Sequence, residues 1–437
     1  MRHLGFVVAL SIAPVWAQVT IEDVVRRAGE RYAGVQVSIE QASLAAAAVQ
    51  QARLAFLPRG DFFAQANLAT RNNVYGMLMP NRVIPPISGP VSGTNAGTSA
   101  FGTAVGFLIS WEPLDMGQRK AHVATMDAGQ KRAVWGVART RFEVEATAAD
   151  AFLTVLAADE TVARARAGVE RAGSLEKIVE AQTKAGLRPD ADLARATAER
   201  VMSEAQVIQA EHAARLGRIA VAQYVGGSWV EVKPMALFLA RPAAMAEPGG
   251  AVALHPALQQ QSAAVHEAEL RRHEALIAWR PRFQTDTALF ARGVDSGPNF
   301  YNWGVGLSVL FPVLDLPMIR AKRMEEMHRA QGETARLQKL TTDLNADLER
   351  ARAGVDLAIR LAATTPPQLQ AARAVQSQAV ARYQAGLANM VDVADAQRLL
   401  LQAEIDDGLA KLNVWRAQLG VAIAAGDLTP FLERAKR

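Results

Sequence analysis

Residues 101–111 read FGTAVGFLISW, and residues 301–311 read YNWGVGLSVLF. In the first stretch Phe101, Thr103, Val105, Phe107, Ile109 and Trp111 alternate with Gly102, Ala104, Gly106, Leu108 and Ser110. In the second, Tyr301, Trp303, Val305, Leu307, Val309 and Phe311 alternate with Asn302, Gly304, Gly306, Ser308 and Leu310. Strand side chains point to opposite faces with a period of two. Each stretch therefore reads as a strand with one bulky apolar face and one face of mostly small residues.

The two stretches stand 200 residues apart, and their surroundings keep that offset. Val105-Gly106 returns as Val305-Gly306, and Leu114-Asp115 as Leu314-Asp315. Ala185-Gly186-Leu187 returns as Ala385-Gly386-Leu387, while Asp192, Ala194 and Ala196 return as Asp392, Ala394 and Ala396. Upstream, Pro58-Arg59 matches Pro281-Arg282 at an offset of 223. The slippage falls in residues 71–99, a Gly-, Pro-, Asn- and Ser-rich run that reads as a long loop, expected outside the cell. A constant offset at both ends of a long segment marks an internal duplication.

Each copy has one layout. Thr20 and Asp23 resemble an N-terminal cap, and a helix is expected from there to about Phe56, stopped by Pro58. Residues 61–70 then alternate as a strand, the long loop follows, and the strand at 101–111 comes next. From Gln118 to Lys184 there is no proline, which predicts one helix about 100 Å long at ~1.5 Å per residue. Val155, Val162 and Val169 keep a seven-residue coiled-coil spacing. A tip at Gly186-Leu187-Arg188-Pro189 leads into a return helix ending near Val225.

The second copy repeats the plan. Its first helix runs from about Pro256 to before Pro281, and a weakly alternating strand covers residues 282–291. Its long helix starts near Ala321, is expected to be interrupted at Pro366-Pro367, and carries Leu337 and Leu344 at the heptad spacing. The tip is Gly386-Leu387-Ala388-Asn389, and the return helix ends near Gly420.

The domain organisation that follows is a leader at 1–17, a first repeat at 18–224, a linker at 225–254, a second repeat at 255–420 and a terminal segment at 421–437. In the leader, Arg2 and His3 precede an apolar run from Leu4 to Val15. Val15-Trp16-Ala17 fits a cleavage site, so the mature chain is expected to begin at Gln18. No later stretch reaches the ~20 apolar residues of a spanning helix. Membrane residence would therefore require a closed β-barrel. The strands, about 10–11 residues each, are long enough to cross a bilayer when tilted. Four strands do not close a barrel, whose smallest membrane form needs about eight. The chain is thus expected to oligomerise, and three copies would supply twelve strands.

Composition narrows the function. The 437 residues are 50% hydrophobic with a net charge of +5, which excludes disorder as the main state. A mean hydropathy of +0.04 is too low for a polytopic helical membrane protein. Zero cysteines exclude disulfides, thiolate metal sites, cysteine nucleophiles and a lipidated cysteine. His266 and His273 sit two helical turns apart but lack the second histidine of a zincin motif, so they read as a solvated face. No catalytic arrangement, metal site or cofactor is expected. The basic charges are interspersed with acids, as in Glu22-Asp23 beside Arg26-Arg27, so nucleic acid is not an expected partner.

At this point the chain resembles the TolC-type outer membrane efflux proteins, or outer membrane factors. The resemblance rests on Thr20-Ile21-Glu22-Asp23, on Leu57-Pro58-Arg59, on the run WEPLDMGQR at Trp111 to Arg119, and above all on the second tip. There Tyr383-Gln384-Ala385-Gly386-Leu387 is followed by Val391-Asp392-Val393-Ala394-Asp395-Ala396-Gln397. The resemblance implies a homotrimer with a twelve-stranded barrel in the outer membrane and an α-helical tunnel in the periplasm. It implies docking on a periplasmic adaptor and an inner-membrane pump of the RND, ABC or MFS type. Asp392 and Asp395 match acidic residues that ring the closed periplasmic aperture of relatives. Tyr383 matches a tyrosine that holds the inner helices shut. Ala388 stands where the best-known member has a tethering arginine, and Arg188 at the other tip is the candidate replacement. The alternative reading is a soluble periplasmic coiled-coil scaffold with a small β-domain.

Overall fold

The computed structural model describes residues 20–70, 99–227, 252–294 and 300–435. The leader, residues 71–98 of the long loop and most of the linker lie outside the described residues. The chain divides into two units, one of residues 1–39, 136–259 and 339–437, the other of residues 40–135 and 260–338.

In chain order the elements are α1 (Ile21–Arg31), α2 (Ala33–Leu54), β1 (Arg59–Thr70), β2 (Ser99–Leu114), α3 (Gln118–Lys184) and α4 (Asp190–Val225). After a short 3-10 turn at Val252–Leu254 come α5 (Pro256–Ile277), β3 (Arg282–Val294), β4 (Phe300–Leu310), α6 (Leu316–Gln384), α7 (Met390–Ala425) and α8 (Thr429–Ala435).

The unit of residues 40–135 and 260–338 holds a four-stranded antiparallel sheet in the order β1-β2-β3-β4. Its register aligns one residue from each strand in rows. Phe62, Phe107, Leu289 and Trp303 form one such row, 63%, 57%, 56% and 73% exposed. The next row, Phe63, Gly106, Phe290 and Asn302, lies on the opposite face, where Ala104, Ala288 and Phe290 are buried. Gly106 is required there. A Cβ would come within 2.4 Å of the Leu289 carbonyl and 2.5 Å of the Phe290 Cβ.

The passage from β2 into α3 explains the run WEPLDMGQR. Met116 and Gly117 take positive φ values of 51° and 92° to turn the chain. Asp115 accepts from the Gly117 and Arg119 backbone amides at 3.1 and 2.6 Å and pairs with the Arg119 guanidinium at 2.8 Å. Burial raises the Asp115 pKa, but these donors outweigh it and the net direction is down. Arg119 also reaches the carbonyls of Ala55 and Glu112 and lies over the Phe56 ring, which ties the end of α2 to the start of α3.

The other unit has its main core where α1, α3, α4, α7 and α8 meet, around Ile21, Val24, Phe152, Leu153, Val155, Val221, Trp415, Leu419 and Phe431. Thr20 caps α1 by accepting from the Asp23 amide.

Four expectations are corrected. The single helix expected to about Phe56 is two, because Tyr32 is extended (φ −64°, ψ 130°) and its ring packs on Tyr224 at 5.3 Å. The long second helix is not interrupted, since α6 passes through Pro366 and Pro367. Prolines there remove two backbone donors. The Thr365 hydroxyl, 2.8 Å from Asp407 and 3.4 Å from the Ala362 carbonyl, supplies local polar contacts and fastens α6 to α7. The final return helix ends at Ala425 rather than near Gly420, the counterpart of Val225 at the same 200-residue offset. Gly226 and Gly426 then close α4 and α7 with φ values of 79° and 80°. Lastly, of the three heptad-spaced valines of α3 Val155 is buried, whereas Val162 and Val169 are half-buried and the seam beyond Val155 is Ala165, Gly168, Ala172, Leu175 and Val179.

Candidate functional site: the paired hairpin tips

Both hairpins turn by the same device. Gly186 and Gly386 take φ values of 71° and 77°, open to glycine at no steric cost. Leu187 donates to the Gln182 carbonyl at 2.9 Å, and Leu387 to the Arg382 carbonyl at 2.8 Å. Leu187 and Leu387 are left exposed.

The return helices then start differently. At α7, Asn389 accepts from the Asp392 amide at 2.9 Å, and the Asp392 carboxylate accepts from the Asn389 amide at 3.4 Å, a reciprocal capping box. At α4 the equivalent cap is Pro189, which makes no side-chain cap bond. Proline has no N–H. Asp192, the repeat counterpart of Asp392, therefore has no cap amide to accept from, and its carboxylate is available to another donor.

That donor is Tyr383. Its hydroxyl donates to Asp192 Oδ2 at 3.1 Å. The tyrosine is wholly buried among Leu175, Val179, Ala196, Met390 and Val393. Burial, then the nearby Asp192 carboxylate, push the Tyr383 pKa up from its ordinary value. Arg188 completes the group. Its guanidinium lies 4.3 Å from the centre of the Tyr383 ring, and it donates to the Tyr383 carbonyl. Arg188 is the repeat counterpart of Ala388. Arg188 thus binds Tyr383 across the two tips of one chain, where Ala388 has no side chain to do so.

Farther along the hairpins, Arg398 pairs with Glu199 and reaches Asp395 at 3.3 Å. Asp392 and Asp395 sit one turn apart on an exposed face of α7. No hydrogen bond joins either of them to Tyr383 among the described residues. The candidate site therefore has two parts, a buried clasp of Tyr383, Asp192 and Arg188, and an exposed acidic pair. Sequence reasoning reached Tyr383, Asp392 and Asp395, whereas Asp192 entered it only as the repeat counterpart of Asp392. The contrast of Pro189 with Asn389 was the available signal. Glu199 and Arg398 carried none.

Comparison with known proteins fits this geometry. Residues 248–427 match the family model described as outer membrane efflux protein. That stretch covers the second repeat and the tip of its hairpin, and it is similar to this family. The fold of the whole chain matches solved outer-membrane channels. The CmeC channel of Campylobacter jejuni aligns with a TM-score of 0.74 at 15% identity, over 95% of this chain and 89% of that one. VceC of Vibrio cholerae gives 0.72 at 14%, over 93% and 96%. The open-state MtrE channel of Neisseria gonorrhoeae gives 0.72 at 17%, over 93% and 89%. No curated protein sequence matches the chain. At these identities the structures establish the fold: long helical hairpins in two repeats joined to a small antiparallel sheet.

Proposed function

We propose that three copies of this chain form an outer-membrane exit channel, which conducts substrates from an inner-membrane pump across the periplasm and outer membrane. The sheet carries the reading. An apolar row crosses all four strands on one exposed face, and β1 and β4 are both edge strands. Monomeric soluble proteins rarely expose such a patch, whereas a barrel closed by joining β4 of one copy to β1 of the next places that face in lipid and removes both edges. No described helix is long and apolar enough to cross a membrane. A soluble scaffold leaves the apolar row without a role.

In this reading the helices form the periplasmic tunnel, and the tips form its aperture. The clasp of Tyr383, Asp192 and Arg188 holds the two hairpins of each protomer together, and Asp392 and Asp395 line the pore. The protein works as a conduit with an adaptor and pump, not as an enzyme, and reaches the outer membrane through a cleaved, unlipidated leader. Fractionation tests the assignment. The protein should stay with outer membranes after a salt wash, run as a trimer in mild detergent and conduct ions in planar bilayers. A protein that washes off and gives no current is the scaffold instead.

A further inference from the structure

A cavity of about 280 Å³ lies among the first turns of α3, the last turns of α5 and the first turns of α6, the ends of these helices that join β2, β3 and β4 along the chain. Ala278, four residues before β3, and Ile319, near the start of α6, line it together with Met126 and Ala275. Its polar lining is His122, Thr125, Arg271, Glu274, Lys322 and Glu326.

Most of these polar groups already have partners. Glu274 accepts from Thr125 at 2.9 Å and lies 2.9 Å from the His122 ring nitrogen. Arg271 is bonded to Glu267. Two groups differ. Glu326 is 6% exposed, and only its Oε1 is bonded, to Arg329 at 2.6 Å. Its Oε2 is buried with no hydrogen-bond partner. Lys322, one turn earlier on α6, has no ion pair among the described residues, and none joins it to Glu326. A buried unpaired carboxylate oxygen is costly. The cavity thus sets a buried carboxylate with one free oxygen near an exposed ammonium that has no ion pair, an arrangement that suits a zwitterion.

We propose that this cavity binds the ethanolamine phosphate headgroup of a phospholipid from the periplasmic leaflet of the outer membrane. The ammonium donates to Glu326 Oε2, and the phosphate meets Lys322. The inference rests on the channel reading for its orientation, because the helix ends that line the cavity adjoin the strands in sequence and would then lie on the headgroup side of the barrel. The surroundings agree with a lipid. Leu276 on α5, Trp279 just past its end and Met318 on α6 are exposed apolar residues that suit glycerol and acyl chain. A cavity of this volume holds a headgroup but not a whole lipid.

The test is native mass spectrometry of delipidated full-length protein, titrated with phosphatidylethanolamine or with phosphatidylcholine. A choline headgroup has no N–H to give Glu326. Phosphatidylethanolamine should be retained about tenfold more strongly, the ratio of one charge-assisted hydrogen bond. Glu326→Gln should erase the preference, and Lys322→Met, at an exposed position that folding should tolerate, should weaken retention of both lipids. Equal retention of the two lipids by wild type, or an unchanged preference in Glu326→Gln, overturns the proposal. Free phosphoethanolamine should not raise the melting temperature. A rise at concentrations that saturate the site would make the occupant a soluble zwitterion and overturn the lipid assignment. Bilayer currents from the same preparation test the channel reading separately, so failure of one is not mistaken for failure of the other.

Discussion

Tyr383 and Asp192 test whether the clasp holds the tips. Tyr383→Phe removes one hydrogen bond to a carboxylate, worth about 1.5–3 kcal/mol, while the ring stays packed. Asp192→Ala instead leaves a buried hydroxyl unpartnered, at a comparable or larger cost. Both variants should raise conductance of the reconstituted trimer, with Arg188→Ala additive to neither because all three residues share one contact group. Fully additive effects across the three would show that they act separately. The direction of the Tyr383 shift sets the pH range. Its folded pKa is raised, so its contribution is fully present below the unfolded value near ~10 and is lost as pH rises through the folded one. Conductance should therefore show no clasp-dependent step between about pH 6 and 9, and wild type should approach the Tyr383→Phe level only above ~10. The acidic pair is separable from the clasp. A small multivalent cation on the tip side should block current, as rings of carboxylates favour cations. Asp395→Ala should weaken block without loss of helix. Asp392→Ala should also remove the N3 half of the capping box, the bond from the Asn389 amide, measured as a lower melting temperature. Block that survives the double variant would leave Asp392 as a cap and nothing more.

Among the elements, the long hairpins were legible because little competes with a proline-free, alanine-rich run. α3 spans Gln118–Lys184, the bounds that its flanking strand and glycine imply. The failures involve long-range contacts. Gly29 and Gly34 weaken the helix around Tyr32, and the extended backbone of Tyr32 goes with a ring contact to Tyr224, far away in sequence. Pro366-Pro367 looked like an end because two donors are lost, yet α6 continues through them, where Thr365 is bonded to Asp407 on another helix. The clasp was hidden for a related reason, since Asp192 and Asp392 look equivalent until the missing N–H of Pro189 is considered. For the strands, parity alone predicted the faces, and substitutions should follow it. Val305 is 64% exposed on the apolar face. Val305→Arg should cost about 2–4 kcal/mol if mid-bilayer and reduce assembled outer-membrane protein, whereas Gly306→Ser, on the other face, should be mild. Gly106→Ala should be the harsher glycine change, given the 2.4 Å approach to the Leu289 carbonyl. Heat-modifiable mobility of the assembled barrel on gels checks all three, and equal tolerance of Val305→Arg and Gly306→Ser would contradict a lipid-facing surface.

For the whole molecule, the decisive quantity is the number of chains that complete the sheet. One chain leaves β1 and β4 as edges and an apolar face uncovered, a combination that promotes pairing with another chain. A heterologous contact between unlike edges closes into a ring only if its rotation permits, and otherwise runs on as an open filament. Twelve strands from three copies satisfy closure within the known range of membrane barrels. The absence of cysteine makes this directly measurable. A single cysteine at Val305 on β4 can be combined in turn with one at Gly60, Phe62 or Ala64 on β1, all of the same outward parity. Disulfides form only where Cα atoms come within about 4.4–6.8 Å, so one register should crosslink and its neighbours should not. That register should yield a covalent species of three chains on non-reducing gels, since each copy offers one donor edge and one acceptor edge. A ladder extending past three would indicate an open assembly. Monomers in every register would mean that the edges do not meet, and the exit-channel reading would fall with the barrel.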